Sequence, residues 1–188
     1  RPPRSTLFPY TTLFRSLLVD AKRRVVAAVH AGWRGTLKRI AEKTVGRMRQ
    51  EFGTNPKDVR AAFGLSIRRC CYEGGREVVE AYQGTFSYYD ELFSRTEASP
   101  SEVHWQQPLL TDNRELRPRP GVTAPPGEKF HLDLVAANRR QLQAAGVPAR
   151  NIWTSPLCTA CHTDLLFSHR AEHGHTGRLM GLIGLREP

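Results

Sequence analysis

Two short apolar runs, LLVD (Leu17–Asp20) and VVAAVHAG (Val25–Gly32), stand on either side of the polar tetrapeptide AKRR. Runs of this length, rich in β-branched residues and split by a turn, are strand-sized. They predict a hairpin that delivers the string HAGWRG to the end of a buried strand. A helix is expected next, because Leu37, Ile40, Ala41, Val45, Met48 and Phe52 recur every three or four residues. Thr36 is placed to cap it and Gly53 to stop it. Beyond the turn signal TNPKD, VRAAFGLSI (Val59–Ile67) reads as another buried strand and REVVEAY as a short helix through about Tyr82. The proline-rich stretch from about Ser94 to Glu128 has no period and is expected to be a long loop. Leu132–Ala145 reads as a helix with Leu134, Val135, Asn138, Leu142 and Ala145 on one face, ended by Gly146 and Pro148. NIWTS, DLLFSHR and RLMGLIGL predict three closing strands, the last apolar enough for a central place. Strands and helices alternate without repeats, so the fold class is α/β, a single domain of mixed β-sheets flanked by helices.

The 188 residues are 39% hydrophobic and 24% charged, enough to bury one core. No apolar run approaches the roughly 18 residues of a membrane helix. The formal charge is +10, which raises nucleic-acid binding as a partner class. Lys and Arg are scattered beside acids, as in KRIAEK and NRELRPR, so a solvated basic surface is the expected reading and nucleic acid is not an expected partner. Cys70, Cys71, Cys158 and Cys161 form two close pairs without a secretory signal, which points to reduced thiols in a cytoplasm.

The opening RPPRSTLFPYTTLFRS fits neither a signal peptide nor a transit peptide. Pro9, Tyr10, Thr11 and Thr12 interrupt any apolar core, and Pro2, Pro3 and Pro9 oppose an amphipathic helix. Residue for residue it matches the translation of a standard short-read sequencing adapter. Residues 1–16 are therefore expected to be a non-native segment, and residues 17–188 a truncated natural domain. Three of the positive charges, Arg1, Arg4 and Arg15, belong to that segment, which has no acid.

VHAGWRG is the string richest in chemistry. Its histidine closes a buried strand, its glycines let the backbone approach a ligand, and Trp33 and Arg34 supply an aromatic face and an anion clamp. His30 reads either as a core histidine with satisfied nitrogens or as a metal ligand. CTACH (Cys158–His162) has three readings: a haem-attachment string, which implies export; part of a thiolate metal site with Cys70 and Cys71; or buried thiols beside a strand. Asp133 suits a first helical turn through the helix dipole. His169, Arg170, His173, His175 and Arg178 cluster either as a phosphate or metal site or as a solvent-exposed hairpin tip.

In order and spacing, VVAAVHAGWRGT, the SIxxCCYE stretch (Ser66–Glu73), LDLVAANRRQL, Cys158–Thr159, LLFSHR and TGR resemble the laccase-domain family, which comprises polyphenol oxidases and purine nucleoside phosphorylases. The resemblance runs from about Leu17 to Leu185. It implies a zinc, or copper, cofactor held by two histidines and one cysteine, with His30 as one ligand. It implies phosphorolysis of adenosine, inosine and methylthioadenosine to base and ribose 1-phosphate, with an adenosine deaminase side activity. Arg34 and Arg170 are then candidates for phosphate, and Trp33 for purine stacking or packing. The family's other two ligands lie in QVHG-like and TADC-like strings that this sequence lacks, and Cys70 and Cys71 are not assigned in their place. The chain is accordingly expected to bind that metal weakly and to turn over slowly. GLSIRR replaces the family's GPSIGP, and Gly74 a usual apolar residue. The alternative function is a thiol- and histidine-based metal-binding or redox module of the copper polyphenol oxidase type.

Overall fold

The computed structural model describes residues 15–97 and 128–186. Strands β1 (Arg15–Asp20) and β2 (Val25–His30) form the predicted antiparallel hairpin, with Leu17 opposite Ala28. Asp20 closes its turn by accepting the amide protons of Lys22 and Arg23 at 3.0 and 3.1 Å, an Asx turn in which Arg24 takes a left-handed φ of 54°. Arg15 and Ser16, on the far side of the expected boundary, are part of β1 and pair with His30 and Val29. The rest of the adapter-like segment lies outside the described residues.

The periodic segment after HAGWRG is divided in two. Helix α1 (Trp33–Leu37) ends at Lys38, Arg39 adopts a left-handed φ of 57°, and α2 (Ile40–Phe52) begins beyond it. Thr36 therefore does not cap the long helix. It lies within α1, where its hydroxyl donates to the Ala31 carbonyl at 3.1 Å. Gly53 ends α2 as expected, at φ 65°, and Thr54 N–H reaches back to the Met48 carbonyl at 3.3 Å.

The remaining elements are β3 (Arg60–Phe63), β4 (Glu73–Gly74), α3 (Arg76–Gln83), α4 (Tyr89–Leu92), β5 (Phe93–Glu97), β6 (Glu128–Leu132), α5 (Leu134–Ala144) and β7 (Ile152–Thr154). They build a four-stranded mixed sheet, β2-β1-β3-β7, and a three-stranded sheet, β4-β6-β5. Only β3 and β7 run parallel. Asp133 is the N-cap of α5 and not a first-turn residue; its carboxylate accepts from Ala136 N–H at 2.8 Å. Phe93–Glu97 and Glu128–Leu132 are paired strands; the first falls almost wholly in the expected loop, and the second runs from that loop's end into Leu132, where the helix was expected to begin. FSRTE carries one apolar residue and shows no alternation, while in EKFHL the alternation is only Phe130 and Leu132, both buried, on either side of His131. Residues 98–127 lie outside the described residues.

DLLFSHR and RLMGLIGL are not strands. The first is a run of turns, and in the second Met180 and Leu182 are 74% and 78% exposed. Apolar composition signals a preference for burial, whereas a strand also needs an open edge, and no described strand pairs with either segment.

Helices α2 and α5 cover one face of the larger sheet, burying Leu18, Ala61, Phe63 and Ile152 against Val45, Met48, Val135 and Leu142. The second core, under α3 and α4, holds Tyr72, Tyr82, Phe86, Leu92 and Leu132. The larger sheet's other face carries exposed residues. Across its four strands the register aligns Leu17, Ala28, Ala62 and Trp153 in one row, and Ala28, Ala62 and Trp153 are exposed. His30 lies on this same face, at the end of β2. Among the described residues no helix is long and apolar enough to cross a membrane.

Candidate active site

The HAGWRGT segment turns the chain from β2 into α1, and its backbone is fixed from below by α5. Asn138, fully buried, donates to Thr36 Oγ1 at 2.8 Å and to the Leu134 carbonyl at 2.7 Å. Gln141, one turn on, donates to the Thr36 carbonyl at 2.7 Å. The AANRRQL string thus positions the HAGWRG string. A Cβ on Gly32 would lie 3.3 Å from His30 Nε2, so glycine there lets the imidazole lie close over the turn.

The second core meets Trp33 from the other side. Tyr82 donates to the Trp33 carbonyl at 3.0 Å, and Tyr72 lies in the core against which Trp33 packs. The Arg34 guanidinium lies 4.4 Å from the Trp33 ring centroid, and the Arg170 guanidinium 5.0 Å from that of Tyr72. Arg170 also donates to the Glu73 carbonyl at 2.6 Å. Burial pushes the Tyr72 hydroxyl above its ordinary pKa, while the positive charges of Arg170 and Arg34 oppose that shift. Arg170 thus packs on Tyr72 and Arg34 on Trp33. The structure brings together Trp33, Arg34 and Arg170 and adds Tyr72, which sequence reading passed over although it lies in the SIxxCCYE string.

His30 is exposed at the rim of this site. The chemistry expected of it needs two more donors, and among the described residues no group of three ligating side chains contains it. The metal implied at His30 thus does not fit the donors described, and no catalytic step is derived through it. His169, His173 and His175 are exposed and join no such group either. His131 instead faces Glu73, at 3.6 Å.

Among the described residues one ligating group is present, and it is made of cysteines. A parallel bridge between Ser66 and Cys158, with Thr159 N–H bonded to the Ser66 carbonyl at 3.1 Å, brings the CTAC turn against the Cys70–Cys71 turn. The sulfurs of Cys70, Cys71, Cys158 and Cys161 all lie within 4.8 Å of one another. Burial raises the Cys158 thiol, but hydrogen bonds from the Arg68, Cys161 and Ala160 backbone outweigh it and bring the pKa down to about 7. Burial and the neighbouring Cys158 and Cys161 push Cys70 up to about 11. Burial pushes Cys71 up further. Charge in the cluster thus settles first on Cys158.

The sequence pattern of the family described as multi-copper polyphenol oxidoreductase laccase matches residues 16–186. The chain belongs to this family. Within the laccase-like family, the chain is 35% identical over 167 residues to a purine nucleoside phosphorylase of Bacteroides thetaiotaomicron, covering 89% of this chain and 52% of that protein. It is 36% identical over 162 residues to adenosine deaminase RL5 of an unknown prokaryotic organism, covering 86% and 51%. Among solved structures, YlmD from Geobacillus stearothermophilus superposes with a TM-score of 0.64 at 32% identity, covering 89% of this chain and 52% of that one. The chain spans about half the length of these relatives.

Proposed function

We propose that the Trp33–Arg34–Tyr72–Arg170 face is the phosphate- and nucleoside-binding part of a purine nucleoside phosphorylase, acting on adenosine, inosine and methylthioadenosine. The observation that carries this is geometric: one guanidinium lies 4.4 Å from the Trp33 ring centroid and another, from far along the chain, 5.0 Å from that of Tyr72, both rings belonging to one core. Phosphorolysis forms a bond from a phosphate oxygen to ribose C1′ as the glycosidic C–N bond breaks. The electron pair departs with the purine, which takes up a proton. Arg34 and Arg170 meet the need for a dianion clamp, since guanidinium binds phosphate through paired, charge-assisted hydrogen bonds. Holding the phosphate in line with C1′ is the main service the site renders. Trp33, its carbonyl held by Tyr82, would stack on or pack against the base, and the same place would admit adenosine for deamination. Four free thiols suit a reducing compartment such as the cytoplasm.

Calorimetric titration with inorganic phosphate tests the clamp. Each charge-assisted bond contributes about 1.5–3 kcal/mol, so Arg34→Gln and Arg170→Gln should each weaken phosphate binding about 10- to 100-fold. Unchanged phosphate affinity in the double variant would refute the clamp. Base release from inosine that does not depend on phosphate would refute phosphorolysis.

A further inference from the structure

We propose that Cys70, Cys71, Cys158 and Cys161 hold one zinc ion as a closed, structural tetrathiolate site. It is separate from the metal implied at His30 and stands whether or not the phosphate clamp is right.

A tetrahedral zinc with bonds of about 2.3 Å to sulfur sets neighbouring sulfurs about 3.8 Å apart. The Cys71–Cys161 and Cys70–Cys161 sulfur separations are 3.3 and 3.6 Å, and all four sulfurs fit within 4.8 Å. Small shifts suffice to bring these distances to the tetrahedral value. An iron–sulfur cluster, with several irons among its ligands, would hold the cysteine sulfurs much farther apart, so a single ion matches the spacing. Four thiolates favour zinc over harder cations.

The backbone around the site already serves a thiolate. Arg68 N–H donates to Cys158 Sγ at 3.4 Å, and the Arg68–Tyr72 turn, closed by the Cys71 and Tyr72 amides on the Arg68 carbonyl at 2.9 Å, presents two adjacent cysteines together. The ligands come from two turns joined by the Ser66–Cys158 bridge and the Arg68 N–H to Cys158 Sγ bond. Zinc would therefore clamp those turns together, fixing the chain one residue before Tyr72 and behind the proposed phosphate site.

The test uses the full chain, purified with reductant and dialysed against limiting zinc. Elemental analysis should find one zinc per chain, unchanged in His30→Ala and reduced to background in Cys70→Ser and Cys161→Ser, whose side chains are exposed. Cobalt added to the unaltered zinc-free chain should give intense thiolate-to-cobalt charge-transfer absorption with tetrahedral d–d bands, a readout that needs no variant. Zinc that persists in both serine variants, or is lost in His30→Ala alone, would overturn the assignment. So would cobalt binding without thiolate bands, or a Cys71–Cys161 disulfide in protein prepared without air.

Discussion

Asn138 is the residue through which α5 fixes the HAGWRG turn, and its replacement gives a quantity to check. Asn138→Ala removes two hydrogen bonds, to Thr36 Oγ1 and the Leu134 carbonyl, from a fully buried position. At about 1 kcal/mol net for each bond and about 1 kcal/mol for the small void, the loss is about 3 kcal/mol. Asn138 Oδ1 is buried without a partner among the described residues, and deleting it returns about 1 kcal/mol. The expected net is about 2 kcal/mol, a fall in Tm of roughly 4–8 °C for a chain of this size. Asn138→Asp keeps the shape but puts a carboxylate against the Leu134 carbonyl and a hydroxyl already donating to Ala31. Its pKa in the folded state must rise above the ordinary aspartate value of about 3.9. The folded protein then binds more protons than the unfolded one across that window, so the variant loses stability, relative to the parent, as pH rises from about 4 towards neutrality. Chemical denaturation at acid and neutral pH measures both variants, and amide exchange at Thr36 reports whether the loss is local to the turn. If both variants lie within about 0.5 kcal/mol of the parent, or the Asp variant tracks the parent at every pH, the bracing described for Asn138 is wrong.

Two glycines should respond in opposite senses to alanine. Gly46 lies in α2 with open space where a Cβ would go, so Gly46→Ala should add about 1 kcal/mol, read as a raised denaturation midpoint. Gly146 has φ +95° and its Cβ would approach Pro56 to 3.2 Å, so Gly146→Ala should cost at least about 1–2 kcal/mol in the same assay. The Glu172 carboxylate accepts from Ser168 N–H at 2.7 Å and Thr176 Oγ1 at 2.5 Å, and these bonds hold its pKa below the ordinary glutamate value. The order of that turn is full above the ordinary value and is lost as pH falls through the depressed one, so Glu172→Gln should speed Ser168 amide exchange at neutral pH. Trp153, 53% exposed on the larger sheet, should tolerate Trp153→Ser with a stability change within about 0.5 kcal/mol.

Periodicity made the hairpin, α2, α3, α5 and β7 legible, because each buries one face of a repeating pattern. It missed β5 and β6, whose apolar pattern is only one or two residues long and whose strands lie on opposite sides of residues 98–127. It also overread RLMGLIGL, where apolar content was taken for strand pairing. For the site, HAGWRG announced itself by composition, and Asn138 could be placed on the inner face of α5 but not matched to Thr36. The meeting of Cys70 and Cys71 with Cys158 and Cys161 depends on one isolated bridge between distant segments. No second C-x-x-C marks it, so spacing rules built on zinc fingers pass over it.

Helix α5 lends Val135 and Leu142 to one core and Leu134 and Ala137 to the other. The two sheets share no strand, so this helix is the wall common to both. A fluctuation that releases either sheet strips half of the contacts from a helix still held by the rest, and the free energy of that half-docked state belongs to neither core alone. Melting should therefore run as one cooperative transition, with the slowest-exchanging amides concentrated along α5.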